Sequence, residues 1–121
     1  MRFLLTISLV LAFATAHAAS VRMLLLRLPL AGSQYHEAHQ QWEKMRVGDQ
    51  LTLTREPANR HDGNAVRVEW RGHMLGYLPR ARNRLLADAM DRGDRLSARI
   101  ARLNPDPDPW QRIEIEVFID L

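Results

Sequence analysis

The stretch Arg55–Val68, REPANRHDGNAVRV, sets a proline, two asparagines, an aspartate and a glycine between two runs that alternate apolar and polar residues. Leu51 and Leu53 alternate with Thr52 and Thr54 before it, and Ala65, Val66 and Val68 lead to Trp70 after it. A period of two with turn residues between predicts two strands joined by a structured loop. Within that loop Pro57 fixes one dihedral, Asn59 can bond its own backbone two residues on, and Asp62-Gly63 favours a turn with positive φ. A loop held this way is rigid without a regular element, and rigid loops on the rim of a small β-domain commonly carry binding residues.

Outward from the loop the pattern continues. Arg71-Gly72 supplies a tight turn into HMLGYL, a third strand that ends at Pro79. In PRARNRLLADAMDRG, Leu85, Leu86, Ala89 and Met90 predict the apolar face of a helix, with Pro79 in its first turn and Gly93 as its C-terminal cap. RLSARIARL and QRIEIEVFI are two more alternating segments, joined by NPDPDPW, whose three prolines keep it out of any sheet interior. Towards the N-terminus, VRMLLLRL (Val21–Leu28) predicts a strand buried on both faces or nearly so. A short helix follows, on which Ala38, Trp42 and Met45 form one apolar stripe, stopped by Gly48 and Asp49. The order is β-α-β-β-β-α-β-β, an α+β, mainly β chain. Antiparallel meanders of this size curl into a small barrel that covers their edges.

Composition bounds the function. A chain of 121 residues with 46% apolar residues supports one domain and no second catalytic module. No cysteine is present, which excludes disulfides, thiolate metal sites and a lipid anchor on cysteine. Arg2, the apolar run FLLTISLVLAFATA and Ala16-His17-Ala18 have the layout of a cleaved secretion signal over residues 1–18, leaving residues 19–121 as the domain. That implies a periplasmic or secreted protein with no membrane anchor after cleavage; the run is shorter than the ~20 residues a span needs. Without Arg2, 16 basic side chains face 14 acidic ones, far from a strongly basic nucleic-acid binder. The distribution is uneven, however: from Arg55 to Arg102 there are 11 arginines against six acids. Arginine suits phosphate through its planar fork, although scattered arginines on a solvated face fit the same count.

The string Arg55-Glu56-Pro57-x-Asn59-x-x-Asp62-x-Asn64-Ala65-Val66-x-Val68, preceded by Gly32-x-x-Tyr35 and followed by Gly76-Tyr77-Leu78-Pro79, resembles the HIRAN domain. Three motifs in the right order and spacing make the match specific, and it covers the chain from about Leu25 to the end. The family occurs on fork-remodelling DNA translocases and as stand-alone bacterial proteins, and this chain carries no ATPase domain of its own. The resemblance implies a small OB-like or SH3-like antiparallel β-barrel with two short helices. It also implies a nucleic-acid binding module that captures a single-stranded DNA 3′ end. Carried across, Tyr35 would stack on a base, Asp62 accept the terminal hydroxyl, Tyr77 line the same pocket and Arg80 contact the last phosphate. Two positions depart from the DNA-binding members: Gln34 stands where they carry a basic side chain, and His61 where they carry a tyrosine. With the secretion signal, these departures keep open a second reading, a periplasmic interaction domain with a non-nucleic-acid ligand and an unidentified protein partner.

Catalytic and metal readings are weaker. His61-Asp62 are adjacent on an extended loop, where neighbouring side chains point apart. In His36-Glu37-Ala38-His39 the histidines lack the metalloprotease spacing and no third ligand is evident, so no metal is expected. No serine or cysteine nucleophile, phosphate-cradling glycine loop or nucleotide-binding crossover is found, and neither catalysis nor a cofactor is expected.

Overall fold

A computed structural model describes residues 21–121; the secretion-signal reading of residues 1–18 lies outside the described residues. The elements are β1 (Arg22–Pro29), α1 (Ala38–Gln41), β2 (Gln50–Arg55), β3 (Val66–Trp70), β4 (His73–Tyr77), α2 (Arg84–Asp91), β5 (Arg95–Leu103) and β6 (Ile113–Asp120). Their order is the one that the alternation of apolar residues predicts. The strands form one antiparallel sheet in the order β1-β6-β5-β2-β3-β4.

The sheet is open, so "barrel" describes it only loosely. Its ends approach where a single bridge joins Ala31, just past β1, to Tyr77 at the end of β4, with both N···O distances 2.9 Å. Leu28, Val66, Val68, Leu75, Ile100, Ile115 and Val117 meet inside with no exposure, and Leu30 and Ile113 are nearly as dry.

Three local expectations change. The strand β1 is not buried on both faces: Met23 is 51% and Leu24 48% exposed. As an edge strand it has one neighbour: Leu25 and Leu26 are half-buried against the core and only its Leu28 end is fully buried, while its register against β6 shifts between Leu24 and Leu26. Pro79 does not open α2. It caps a 3-10 turn, Arg80–Arg82, and the α-helix starts at Arg84. From that start the buried face is Leu86, Ala87 and Ala89, which leaves Leu85 78% exposed. Gly93 does cap the helix: with φ at +93°, its N–H donates to Met90 and that of Asp94 to Ala89, both at 3.0 Å.

Gly76 is required by the closing bridge. A Cβ there would collide with the Ala31 carbonyl oxygen, which is backbone and cannot swing aside. Gly76→Ala is therefore expected to destabilise the fold by about 1–3 kcal/mol, the usual cost of overpacking. An unchanged denaturant midpoint would show that the bridge gives way freely.

Candidate functional site

The loop between β2 and β3 is held by its own side chains. The Asn59 Oδ1 accepts from the N–H groups of His61 at 2.9 Å and Asp62 at 3.2 Å, while its Nδ2 donates to Glu56 Oε1 at 3.0 Å. Asp62 Oδ1 accepts from the Asn64 N–H at 2.9 Å, and the Asp62 carbonyl accepts from Ala65 N–H at 3.1 Å. This Asx-bonded turn is satisfied with a negative φ, so Gly63 does not adopt the positive φ expected of Asp-Gly. At the base of the loop, the Arg55 guanidinium donates to the Ala65 carbonyl at 2.9 Å and grips both oxygens of Asp91 in α2 at 2.9 and 3.1 Å. Asn59→Ala removes three hydrogen bonds at once and is expected to cost about 2 kcal/mol. Thermal unfolding of the variant several degrees below the parent checks this.

Against this loop lies a pocket of about 410 Å³. Asn59, His61, Asp62 and Ala65 form the loop wall. The opposite side comes from Ala31 and His36 beyond β1, and from Tyr77 at the end of β4 with Leu78 and Arg80 after it. The Ala31–Tyr77 bridge is thus what brings the two halves of the pocket together. Four of the six residues singled out in the sequence, His61, Asp62, Tyr77 and Arg80, line it together. Gln34 and Tyr35 do not line it. Both sit exposed on the adjoining 3-10 turn Ser33–Tyr35, and Tyr35 is 80% exposed.

Sequence reasoning assigned no pocket role to three residues that shape this site, His36 in its lining and Glu56 and Asn83 behind it. The His36 ring meets Tyr77 edge to face, with centroids 5.8 Å apart. Glu56 stands behind the wall: its Oε1 accepts from the Tyr77 hydroxyl at 2.8 Å as well as from Asn59, and its Oε2 from Arg67 at 3.2 Å. Asn83, 1% exposed, donates to Asp62 Oδ2 at 2.7 Å. A hint of this existed in the conjunction of Glu56 with the Gly76-Tyr77 motif, yet spacing alone does not say which carboxylate meets which phenol.

Charge is fixed by these contacts. Burial pushes the Asp62 carboxyl up, but hydrogen bonds from the Asn64 N–H and Asn83, with the charges of Arg80 and Arg55, outweigh it and hold it below the ordinary aspartate value. Glu56 behaves alike: burial raises it, and Asn59, Tyr77 and Arg67 bring the net shift down. Burial, then the neighbouring Glu56, pushes the Tyr77 phenol up, so it stays a protonated donor. The pocket therefore presents one ionised carboxylate, one arginine and aromatic walls. Glu37 is engaged elsewhere, with His73 Nδ1 at 3.2 Å and the Met74 N–H at 3.0 Å. Among the described residues no cluster of three or more His, Asp or Glu could hold a metal ion, and no helix is long and apolar enough to cross a membrane.

Comparison with known proteins adds the lineage. The family model described as HIRAN domain matches residues 23–121. A Fanconi-associated nuclease 1 homolog of Oryza sativa subsp. japonica is 37% identical over 67 residues, 52% of this chain. The chain spans only 6% of the length of that relative. Among solved structures, a protein from Lactobacillus plantarum superposes with a TM-score of 0.72 at 29% identity, covering 83% of this chain and 96% of its own. The HIRAN domain of human HLTF superposes with a TM-score of 0.60 at 19% identity, covering 82% of this chain and 77% of that one, a likeness of fold. The small OB-like architecture expected from the resemblance agrees with these superpositions.

Proposed function

The chain belongs to the HIRAN domain family, and from that premise we propose that its pocket holds the 3′ end of a single-stranded DNA. The observation that carries this reading is the meeting of an ionised Asp62, Arg80 and the Tyr77–His36 wall in one pocket of about 410 Å³. An ionised carboxylate accepts a hydrogen bond from a terminal hydroxyl and repels a terminal phosphate. Arg80, on the rim, reaches for the last internucleotide phosphate, and its loss should flatten the salt dependence of binding by about one phosphate's share. Tyr35, exposed on the neighbouring turn, is free to stack on a base. His61 offers a flat, weakly basic wall where the DNA-binding members carry a phenol, and Gln34 a neutral donor where they carry a charge.

This reading makes the chain a binding module rather than an enzyme. Its test compares the affinity of one short strand ending in a 3′-hydroxyl with that of the same strand ending in a 3′-phosphate. Equal affinities, or no binding at low salt, would reject it.

The apolar run before Ala18 supports a second reading, a periplasmic or secreted module whose ligand is not nucleic acid. N-terminal sequencing of protein from a periplasmic extract decides the location: a chain starting at Ala19 is expected, and an intact Met1 in the cytoplasm would overturn it.

A further inference from the structure

The residue before α2 does something a helix start does not require. The Asn83 carbonyl accepts the Ala87 N–H at 2.8 Å, as the carbonyl of a capping residue does. Its side chain, however, makes no cap. An asparagine in that place ordinarily turns its oxygen to a free N–H of the first turn, which steadies the helix. Here the amide reaches instead to the loop, 21 positions earlier, where Nδ2 donates to Asp62 Oδ2 at 2.7 Å. The residue is 1% exposed and its Oδ1 is left dry, without a hydrogen-bond partner. A forgone cap and an unmet buried acceptor both cost stability, and the bond to a carboxylate offsets them. What the arrangement adds is the placement of Asp62. The same helix holds the loop at its other end, where Asp91 takes the Arg55 guanidinium at 2.9 and 3.1 Å.

We infer that Asn83 is the positioning residue of the strand-end pocket: its amide fixes Asp62 as an acceptor on the pocket wall, and so sets how well a 3′-hydroxyl is told from a 3′-phosphate. This role rests on the strand-end reading for its ligand. The last side-chain bond of an aspartate turns easily, with a broad preference and no sharp wells. A single donor, the Asn64 N–H on Oδ1 at 2.9 Å, leaves that rotation open. A second donor on Oδ2, from a different element, fixes the plane of the carboxylate and leaves its remaining lone pairs to a ligand. The nitrogen of a carboxamide can only donate, so the bond lasts only while Oδ2 accepts, which favours the ionised form over the acid. Burial pushes the Asp62 carboxyl up, and the Asn64 N–H and Asn83, with the charges of Arg80 and Arg55, bring it below the ordinary aspartate value. Asn83 acts through Asp62: it does not line the pocket itself.

The experiment compares Asn83→Thr and Asn83→Ala with the parent in the intact protein. Threonine has nearly the same bulk and is itself a capping residue, but its hydroxyl stops one bond short of where the amide nitrogen meets Asp62. Alanine removes the group outright and decides the matter if threonine disturbs the packing. The urea midpoint of the threonine variant should stay close to that of the parent. Its affinity for a short oligothymidine strand ending in a 3′-hydroxyl should fall by about tenfold, as when a partner that orients a metal ligand is lost. Affinity for the same strand ending in a 3′-phosphate should fall less, so the preference between the ends shrinks. In the ligand-free protein the Asp62 carboxyl carbon, followed by NMR, should titrate at a higher pH in both variants than in the parent. A folded variant that keeps the parent's ratio of affinities, or that weakens both strands equally, would overturn the positioning role and leave the strand-end reading standing. An unmoved Asp62 titration would overturn it as well. A parent that does not distinguish the two ends would fell the strand-end reading, and the role of Asn83 in it, even if the titration moves.

Discussion

Replacing Asp62 by asparagine is expected to abolish the preference for a strand ending in a 3′-hydroxyl over one ending in a 3′-phosphate, while leaving the fold intact. Asp62 is held below the ordinary aspartate value of 3.8, so at neutral pH it carries a full negative charge at the pocket wall. A terminal phosphate carries about −1.5 to −2 charges. Like unit charges about 4 Å apart repel by about 4 kcal/mol at an effective dielectric of 20. Even a third of that is a tenfold preference. The substitution removes the charge but keeps a planar group of the same size. Its amide oxygen still accepts from the Asn64 N–H. Its amide nitrogen would oppose the Asn83 Nδ2, but the Asn83 Oδ1 has no hydrogen-bond partner, so a flip of that amide restores the pair. Anisotropy titrations of both strands at one salt concentration check the prediction. A ratio of affinities equal to that of the parent would remove Asp62 from the role of end reader.

The same Asp62 shows what was readable from sequence and what was not. The loop announced itself because Pro57, Asn59, Asp62 and Asn64 are turn formers whose bonds are local, and Asn59 indeed caps the N–H groups two and three residues on. The meander and the helices were legible for a similar reason, since strand alternation and helical periodicity are properties of short windows. Burial of the ends was less so. Whether VRMLLLRL lies inside depends on its place at the sheet edge, which no window contains. The pocket was legible only in part. The contacts that complete it, Glu56 with Tyr77 and Asp62 with Asn83, each join residues 21 positions apart and are made by the tertiary fold. Nothing in the spacing of His36 and His39 points to Tyr77, 41 positions on, against which the fold sets the His36 ring. The Ala31–Tyr77 bridge also explains why Gly76-Tyr77 belongs to the motif: the glycine lets the backbone close, and the tyrosine then faces the loop.

That joint makes Glu56 the residue whose loss should weaken the pocket most. Its side chain is 22% exposed and serves three partners from different parts of the chain: Asn59 in the loop, Arg67 in β3 and Tyr77 in β4. Glu56→Ala leaves the Tyr77 hydroxyl and the Asn59 amide without acceptors, whereas Arg67 keeps its ion pair to Glu69 at 2.6 Å. Two orphaned, partly buried donors predict a loss of about 3 kcal/mol. Glu56→Gln separates hydrogen bonding from charge. One oxygen can still accept from both Tyr77 and Asn59, so at neutral pH this variant should lie much closer to the parent. The two differ in acid. Because the folded state holds the Glu56 carboxyl below its ordinary value of 4.5, the unfolded chain takes up the proton first as pH falls. The stabilisation is therefore complete above pH 4.5 and is lost as the pH drops through the lower, folded value. Urea midpoints measured from pH 7 down to 3 should converge for parent and Glu56→Gln at the acid end, with Glu56→Ala below both throughout. A glutamine variant as unstable at pH 7 as the alanine variant would mean that the charge, not the shared acceptor oxygen, holds the tyrosine and the loop together.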